Sequence, residues 1–311
     1  MAINRASISK ELLPGLNAVF GLEYGDVDNE HAPLFEVENS DRAFEEEVLF
    51  TGFGTAPVKG EGAAVQYDDA QESFTARYTH ETISLAFAVT EEAMEDNLYD
   101  TFAKLRARGL ARAMANTKQV KAADVFNNGF NTAFVGGDGQ PLFSDSHPVV
   151  DGGTQDNDLD ATDLSEASLE ASLITISKAK DDRGILIGIR AESLHIPPDL
   201  AFTADQILNS TLSTTVTTQG SDGVTNVNDI NAIRNQGLVP GGFFVNHRFT
   251  DTNAWFLKTD APNGAKMFVR APLQTKMEPD FDTGNLRFKA RERYSFGFSD
   301  WRGYYGASGS S

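Results

Sequence analysis

Five histidines, His31, His80, His147, His195 and His247, are the first side chains to ask for chemistry. Imidazole is the usual acid–base and metal-binding group near neutral pH. No two of them stand at a helical metal-binding spacing. His80 precedes Glu81, yet no histidine follows at the fourth position, so the zinc-protease pattern fails. Ser144-Asp145-Ser146-His147 sets serine, aspartate and histidine side by side. A catalytic triad is assembled by geometry across a fold and seldom by chain neighbours, so this stretch reads as a structured turn before Pro148. Asp156, Asp158 and Asp160 begin like a calcium loop, but Ala161 and Ala167 stand where the turn glycine and the closing glutamate belong. That is the pattern of a solvated acidic loop. The chain has no Walker A loop, no Gly-x-Gly-x-x-Gly after a strand, and no cysteine. The expectation is a protein with no catalytic residue, no cofactor and no metal.

Charge is more informative. Arg287, Lys289, Arg291 and Arg293 alternate with Phe288, Ala290, Glu292 and Tyr294, which in a strand makes one strongly basic face. Three readings stand side by side: docking on an acidic segment of a neighbouring copy such as residues 36–47, contact with nucleic-acid phosphates without base reading, or an ordinary solvated face. Glu45, Glu46 and Glu47 make the centre of that acidic segment. Residues 1–100 carry 21 acids against 5 bases and residues 151–230 carry 14 against 4, whereas 101–150 and 231–311 are net positive, within a total of −19. Alternating acidic and basic segments suit subunits that meet face to face. A chain this acidic is a poor candidate for tight, specific DNA binding. The aromatics near the end (Tyr294, Phe296, Phe298, Trp301, Tyr304, Tyr305) read as core and interface packing rather than a platform for bases.

The elements that position these residues follow from periodicity. With 311 residues and 40% hydrophobic content, the chain has room for two domains or for one large domain with long excursions. No apolar run approaches the roughly 18–20 residues of a membrane helix, and residues 1–11 lack the apolar stretch of a signal peptide. A soluble protein made in the cytoplasm is expected. Residues 1–45 mix Pro14, Gly15, Gly21, Gly25 and Pro33 with scattered apolars and read as an extended arm. A Gly-rich turn region, Thr51 to Gly62, is followed by period-two alternation at Phe74, Ala76, Tyr78 and then Ile83, Leu85, Phe87, Val89. Two strand-like limbs around that turn predict a projecting ribbon, which needs a partner because a lone hairpin is marginal in water.

From Thr90 the period turns helical, with Met94, Leu98, Phe102 and Leu105 as one stripe and acids before bases, to about Phe126. Such a helix is ~55 Å long at 1.5 Å per residue, with Gly109 as its weak point. Asp163 with Glu166 looks like a capping box opening a helix through Leu169, Leu173 and Ile176, with Gly184 ending it. A strand at Leu194–Ile196, a helix at Asp199–Asn209, a polar surface loop at Ser210–Asp229, and strands at 243–245, 254–257, 267–269 and 286–298 complete the reading.

The stretch Phe126-Asn127-Asn128-Gly129-Phe130, then Asp138-Gly139-Gln140-Pro141-Leu142-Phe143 and His147-Pro148, resembles the Mu-like head major subunit family. The ending Ser299-Asp300-Trp301-Arg302-Gly303-Tyr304-Tyr305-Gly306 is similar to capsid C-termini of the same broad group. The resemblance implies an α+β Hong Kong 97-type capsid fold: an N-terminal arm (1–45), an extended β-ribbon called the E loop (46–89), a peripheral domain (90–165) with a spine helix (90–126), a mainly axial domain (166–262), and returning peripheral strands with the C-terminus (263–311). It implies the major capsid protein of a tailed double-stranded DNA phage, forming pentamers and hexamers of an icosahedral shell, assembled in the host cytoplasm and located in the virion. Implied partners are further copies of itself, a scaffolding protein, the portal at one vertex, a decoration protein in some shells, and packaged DNA held without sequence preference; no membrane is implied. Inter-subunit contacts are then expected at Glu45, Glu46, Glu47, Lys59, Arg287, Lys289, Arg291 and Arg293. One relative cross-links its shell through a lysine–asparagine bond. Lys59 is the only lysine between Lys10 and Lys104 and sits in the Gly-rich turn, which makes it the one candidate for such a donor there, although Glu61 alone beside it does not argue for catalysis. The alternative reading is another virion structural protein such as a tail component.

Overall fold

Leu16, Phe20 and Tyr24 recur every four residues, one side of a helix, and the segment that carries them coils as α1 (Arg5–Gly25). This corrects the expectation of an extended arm. Pro14 and Gly15 read as breakers, but the helix runs through them because Leu16 and Phe20 are buried against the next helix, and tertiary packing outweighs propensity. The computed structural model describes residues 5–90, 92, 99–150, 152–218, 224–280 and 282–310. Among these, no helix is long and apolar enough to cross a membrane.

After α1 come β1 (Glu36–Asn39), β2 (Phe44–Phe50), β3 (Glu72–Thr79) and β4 (Glu81–Val89). The period-two stretches are strands as expected, yet only β2 and β3 form the ribbon, antiparallel, with residues 51–71 between them free of regular structure. β4 turns away at His80 and enters a sheet instead. The physical reason is its apolar face: Phe87 and Val89 pack with Phe288 and Ala290 against the long helix, a burial that a solvated ribbon does not offer.

That helix is α2 (Tyr99–Asn127), 29 residues and ~44 Å long at 1.5 Å per residue. Met94, Leu98 and the Phe102 side chain lie outside what is described; of the expected stripe only Leu105 is described, and it is exposed. Alanines carry the buried face instead: Ala103, Ala107, Ala111 and Ala115, with Leu110 and Met114. Small side chains let α1 and the sheet approach the helix closely. Gly109 lies within the helix and does not end it.

A short hairpin, β5 (His147–Pro148) and β6 (Thr154–Gln155), precedes α3 (Glu166–Ser177). Its cap corrects the sequence reading. Ser165 is the N-cap and Ser168 the reciprocal partner, while Asp163 accepts hydrogen bonds from the Ser310 amide (2.9 Å) and hydroxyl (2.8 Å). Gly184, φ +75°, lies in a turn beyond the helix and does not end it. Then follow β7 (Ala191–Ile196), α4 (Ala201–Asn209), β8 (Leu212–Thr218), β9 (Val224–Ile230), α5 (Ala232–Gln236), β10 (Phe243–Val245), β11 (Trp255–Thr259), β12 (Ala265–Pro279), β13 (Leu286–Phe298) and β14 (Tyr304–Ala307). The stretch expected as a surface loop at 210–229 holds the antiparallel pair β8–β9, with residues 219–223 outside the description. Its threonines and valines favour extended backbone, a signal that the serine and asparagine content masked.

Two four-stranded sheets organise the chain. The first has the order β1-β12-β13-β4 and the second β10-β7-β11-β14. β14 therefore belongs with the second sheet, although β12 and β13, which precede it, make the first. α1 and α2 cover the first sheet through Phe20, Met114 and Phe288. Leu169, Ile176 and Ala204 of the helices pack with Trp255 and Leu257 over the second. A third cluster welds the two, with Ala265, Met267 and Tyr294 from one sheet and Phe256 and Tyr304 from the other meeting at Phe126 near the end of α2.

Under α1 lies a buried ion pair. Lys118 Nζ of α2 is 2.6 Å from Glu292 of β13, whose side chain is 1% exposed, and Tyr24 Oη of α1 donates to the same carboxylate at 3.2 Å. Burial, then the Glu292 charge, pushes the Tyr24 hydroxyl far up, so it stays a donor. Lys118→Ala leaves a buried carboxylate without its counter-ion and is expected to cost about 3 kcal/mol, read as a lowered urea midpoint with an unchanged m-value.

His195 lies in the second sheet, fully enclosed, with Ser193 Oγ 3.0 Å from Nε2 and Phe244 stacked on the ring. Burial first, and Lys258 second, lower its pKa to about 3. The unfolded imidazole takes up a proton near its ordinary pKa of 6.5 and the folded one does not. This contribution is therefore lost as pH falls from 6.5 towards 3. By about pH 5 the wild type is expected to lose about 2 kcal/mol from this group. His195→Phe flattens the slope by that amount when urea midpoints are compared at about pH 7 and about pH 5.

Candidate functional site

Two surfaces and one buried cluster collect the residues that the sequence singled out. The first surface is the ribbon and its loop. Thr51 closes the loop's base, its amide donating to the Gln71 carbonyl (2.9 Å) while its Oγ1 accepts from the Gln71 amide (2.9 Å). Beyond that clamp Phe53, Val58, Val65 and Tyr67 are exposed, Tyr67 by 97%, and Lys59 is exposed among them. Four large apolar side chains on one excursion are thus left in water by the chain itself.

Glu45, Glu46 and Glu47 on β2 divide by the pleat. Glu45 accepts from Ser40 Oγ (2.7 Å), and Glu47 accepts from Lys266 Nζ (2.6 Å) and from Ser299 Oγ. Lys266 also holds Glu38 at 2.9 Å. These acids are engaged within the chain. Glu46 points the other way, exposed, 3.8 Å from Arg77.

The second surface is the basic face of β13. The alternation is as the sequence proposed: Arg287, Lys289 and Arg291 are exposed, Arg293 is half-buried, and Phe288, Ala290, Glu292 and Tyr294 are buried on the other side. Register aligns Lys289 with Lys276 and Arg291 with Gln274 of β12, and these four line a shallow trough with Thr275. Arg287 pairs with Asp280, and Lys276 with Glu278. No ion pair of Lys289 or Arg291 occurs among the described residues. The structure does not bring this face together with Glu45 to Glu47 of the same chain; the partner of Glu47 is Lys266.

The buried cluster joins stretches that stand apart in the sequence, Asp138, His147 and the Trp301-Arg302 pair, with Gln155, Asn157 and Asp182, which no motif marks. His147 is fully buried. Its Nδ1 faces Asp138 Oδ2 at 2.6 Å and its Nε2 faces Asn157 Oδ1 at 3.0 Å. Both ring nitrogens are thus occupied, while Ser144 Oγ makes its contacts to Gln140 and Ser146. The side-by-side serine, aspartate and histidine are a folded turn, not a relay. Asn157 Nδ2 donates to the carbonyls of Leu142 (2.8 Å), Trp301 (3.2 Å) and Tyr304 (2.8 Å). The Trp301 ring stacks on His147 at 4.5 Å and 7°, and the Arg302 guanidinium lies 4.5 Å over that indole. Arg302 is 4% exposed and donates to Asp182 (2.7 Å), Gln155 (3.1 Å) and the Lys180 carbonyl (3.0 Å). Burial lifts the neighbouring Asp300 carboxyl while the Arg302 charge pulls it back.

Glycine makes the approach of the 136–140 turn possible. A Cβ on Gly137 would lie 2.6 Å from the Thr75 carbonyl oxygen, so the turn carrying Asp138 packs directly on the ribbon backbone. The acidic loop after His147 has no metal-binding set of three or more groups among the described residues. Burial raises the Asp156 and Asp158 carboxyls, helped by the charges of Asp160 and Asp145.

Comparison with known proteins gives this arrangement a context. The family model described as "Phage capsid protein" matches residues 72–307. No curated protein matches the chain. Among solved structures, the virus-like particle from Pyrococcus furiosus is similar, with 10% identity, TM-score 0.53, and coverage of 94% of this chain and 98% of that one. The procapsid of bacteriophage JBD30 aligns at 14% identity and TM-score 0.52, over 99% of this chain and 77% of that one. The capsid of the native GTA particle aligns at 14% identity and TM-score 0.54, over 92% of both chains. At these identities the structures speak for the fold, and the fold is the α+β Hong Kong 97-type capsid fold. With the family match spanning the ribbon's second strand, the second sheet, the first sheet apart from β1, and the buried cluster, the chain belongs to the phage capsid protein family and is a structural protein of the virion, a major capsid protein.

Proposed function

We propose that this chain forms the head of a tailed double-stranded DNA phage by self-assembling into pentamers and hexamers of an icosahedral shell. The observation that carries the proposal is the excursion at 51–71, with Phe53, Val58, Val65 and Tyr67 exposed on a chain of the capsid family. Covering them with a neighbouring copy removes that apolar surface from water. In this reading the β2–β3 ribbon is the E loop and α2 the spine helix. The first sheet with α1 and α2 is the peripheral domain, and the second sheet with α3 to α5 is the axial domain. The finer kinship is with Mu-like head subunits, through the Asp138–Phe143, His147-Pro148 and Ser299–Gly306 motifs. The role is structural, without catalysis.

Of the contact residues expected from the sequence, Glu46, Lys59, Arg287, Lys289 and Arg291 remain turned outward and serve the inter-subunit contacts. Glu45 and Glu47 are spent on Ser40 and Lys266. Remaining partners are a scaffolding protein during assembly in the host cytoplasm, the portal at one vertex, a decoration protein, and packaged DNA held through its phosphates.

Electron microscopy of the purified chain, alone and with its scaffolding protein, tests the proposal. Closed shells or five- and six-membered rings are the expected outcome, and uniform monomers under both conditions overturn it. Deleting Gly52–Gly62 is expected to leave soluble capsomers and abolish closed shells, since both ends of the deletion lie outside the two sheets; normal shells from that variant would sink the role of the loop. Lys289→Glu with Arg291→Glu is expected to lower shell yield by about tenfold, roughly 1.4 kcal/mol per contact set, with the thermal midpoint of the soluble chain changed by no more than a few degrees.

A further inference from the structure

The loop at 51–71 is not simply loose. Arg183 donates from Nη1 to Asp68 Oδ2 at 2.7 Å and from Nη2 to the Asp69 carbonyl. The same Asp68 oxygen accepts the Gly54 amide at 2.6 Å. Gly54 is on the outgoing limb of the loop and Asp68 on the returning limb, so both limbs meet at the Asp68 carboxylate that Arg183 holds. Arg183 itself is presented by a built turn. Asp181 Oδ1 accepts the amides of Arg183 (2.9 Å) and Ile185 (2.8 Å), and Gly184 takes φ +75°. That turn is fastened to the buried cluster, since Arg302 binds both Asp182 and the Lys180 carbonyl. The Arg183 side chain is 16% exposed. Hydrogen bonds from Arg183 and then from Gly54 hold the Asp68 carboxyl below its ordinary range.

We infer that Arg183 is a positioning residue for assembly: its clasp on Asp68, Asp69 and, through Asp68, Gly54 holds the two limbs together and aims the exposed apolar loop before a second copy is met. The inference rests on the reading of that loop as an inter-subunit arm. Its physical content is preorganisation. A loop already ordered in the free subunit gives up less conformational freedom on docking. Arginine suits the task because its planar fork reaches a carboxylate and a carbonyl at once, which a lysine cannot reproduce.

Hydrogen–deuterium exchange of the full chain, paired with light-scattering assembly under conditions that assemble the wild type, provides the test. In Arg183→Ala the Gly54 and Gln71 amides are expected to exchange roughly tenfold faster, with amides of β7 and β11 unchanged, and assembly is expected to show a several-fold longer lag. Asp68→Asn keeps an acceptor for the Gly54 amide, removes the charge pair and leaves the 181–185 turn untouched, so it reports the clasp even if Arg183→Ala disturbs folding. Arg183→Lys is expected in between, and Arg190→Ala, an exposed arginine outside the clasp, behaves as wild type. Unchanged loop exchange in both Arg183→Ala and Asp68→Asn overturns the clasp. Faster loop exchange with unchanged assembly kinetics overturns the positioning role. If the wild type itself forms no shells, the self-assembly reading fails, and the exchange data still decide whether the clasp exists.

Discussion

A guanidinium cannot be taken out of water without partners for its charge and its five N–H donors, and Arg302 is almost wholly buried. The surroundings answer that demand from several directions. Asp182 supplies a carboxylate, Gln155 and Lys180 supply carbonyl oxygens, and the Trp301 ring supplies a π face. These acceptors come from two separate stretches of the chain, so satisfying one side chain fixes the hairpin at 147–155, the turn at 180–185 and the link from β13 to β14 relative to one another. His147 and Asn157 extend the same joint. One stacks on Trp301, and the other ties the carbonyls of Leu142, Trp301 and Tyr304. The passage of the chain from the first sheet to the second is thereby a rigid corner.

The two sheets use charge in opposite ways. On β13 the pleat separates a solvated row of cations from a buried row in which Glu292 is the exception. That exception is tolerated because Lys118 and Tyr24 reach it from two helices. A buried pair of this kind adds little net stability over an apolar pair of the same shape, but it punishes misplacement, so it favours one docking of α1 on α2. Around the second sheet His195 is enclosed without any such counter-charge and stays neutral. The first sheet thus stores an ion pair under its cover, and the second encloses a neutral imidazole.

The ribbon shows how surface and interior are linked. Its base packs on Gly137, its inward carboxylate Glu47 is held by Lys266, and its loop is held through Arg183. What remains outward is apolar or singly charged. In the proposed assembly, that combination gives the excursion a direction and leaves its apolar residues for a neighbouring copy to cover.

Periodicity and residue chemistry made much of this legible. The strands at 72–79, 81–89, 243–245 and 286–298, the long helix to about residue 126, and the two-faced character of β13 follow from local alternation, which the backbone geometry of a strand or helix enforces on neighbours along the chain. Motif similarity added the capsid resemblance, carried by the stretches from Phe126 to Pro148 and from Ser299 to Gly306. The rest was decided in three dimensions. Whether Pro14 breaks a helix depended on the alanine face that α2 offers to Leu16 and Phe20. Whether β4 joins the ribbon or a sheet depended on apolar area to be buried against β13. Which acids stay free for a partner depended on Lys266, more than two hundred residues from Glu47 in the chain. Sequence by itself determined which side chains are charged, apolar or bendable and how they alternate. Only the tertiary structure decided which charges meet, because Coulomb attraction and burial act through distance in space, and the chain order of Asp138, His147, Asp182 and Arg302 contains no distance at all.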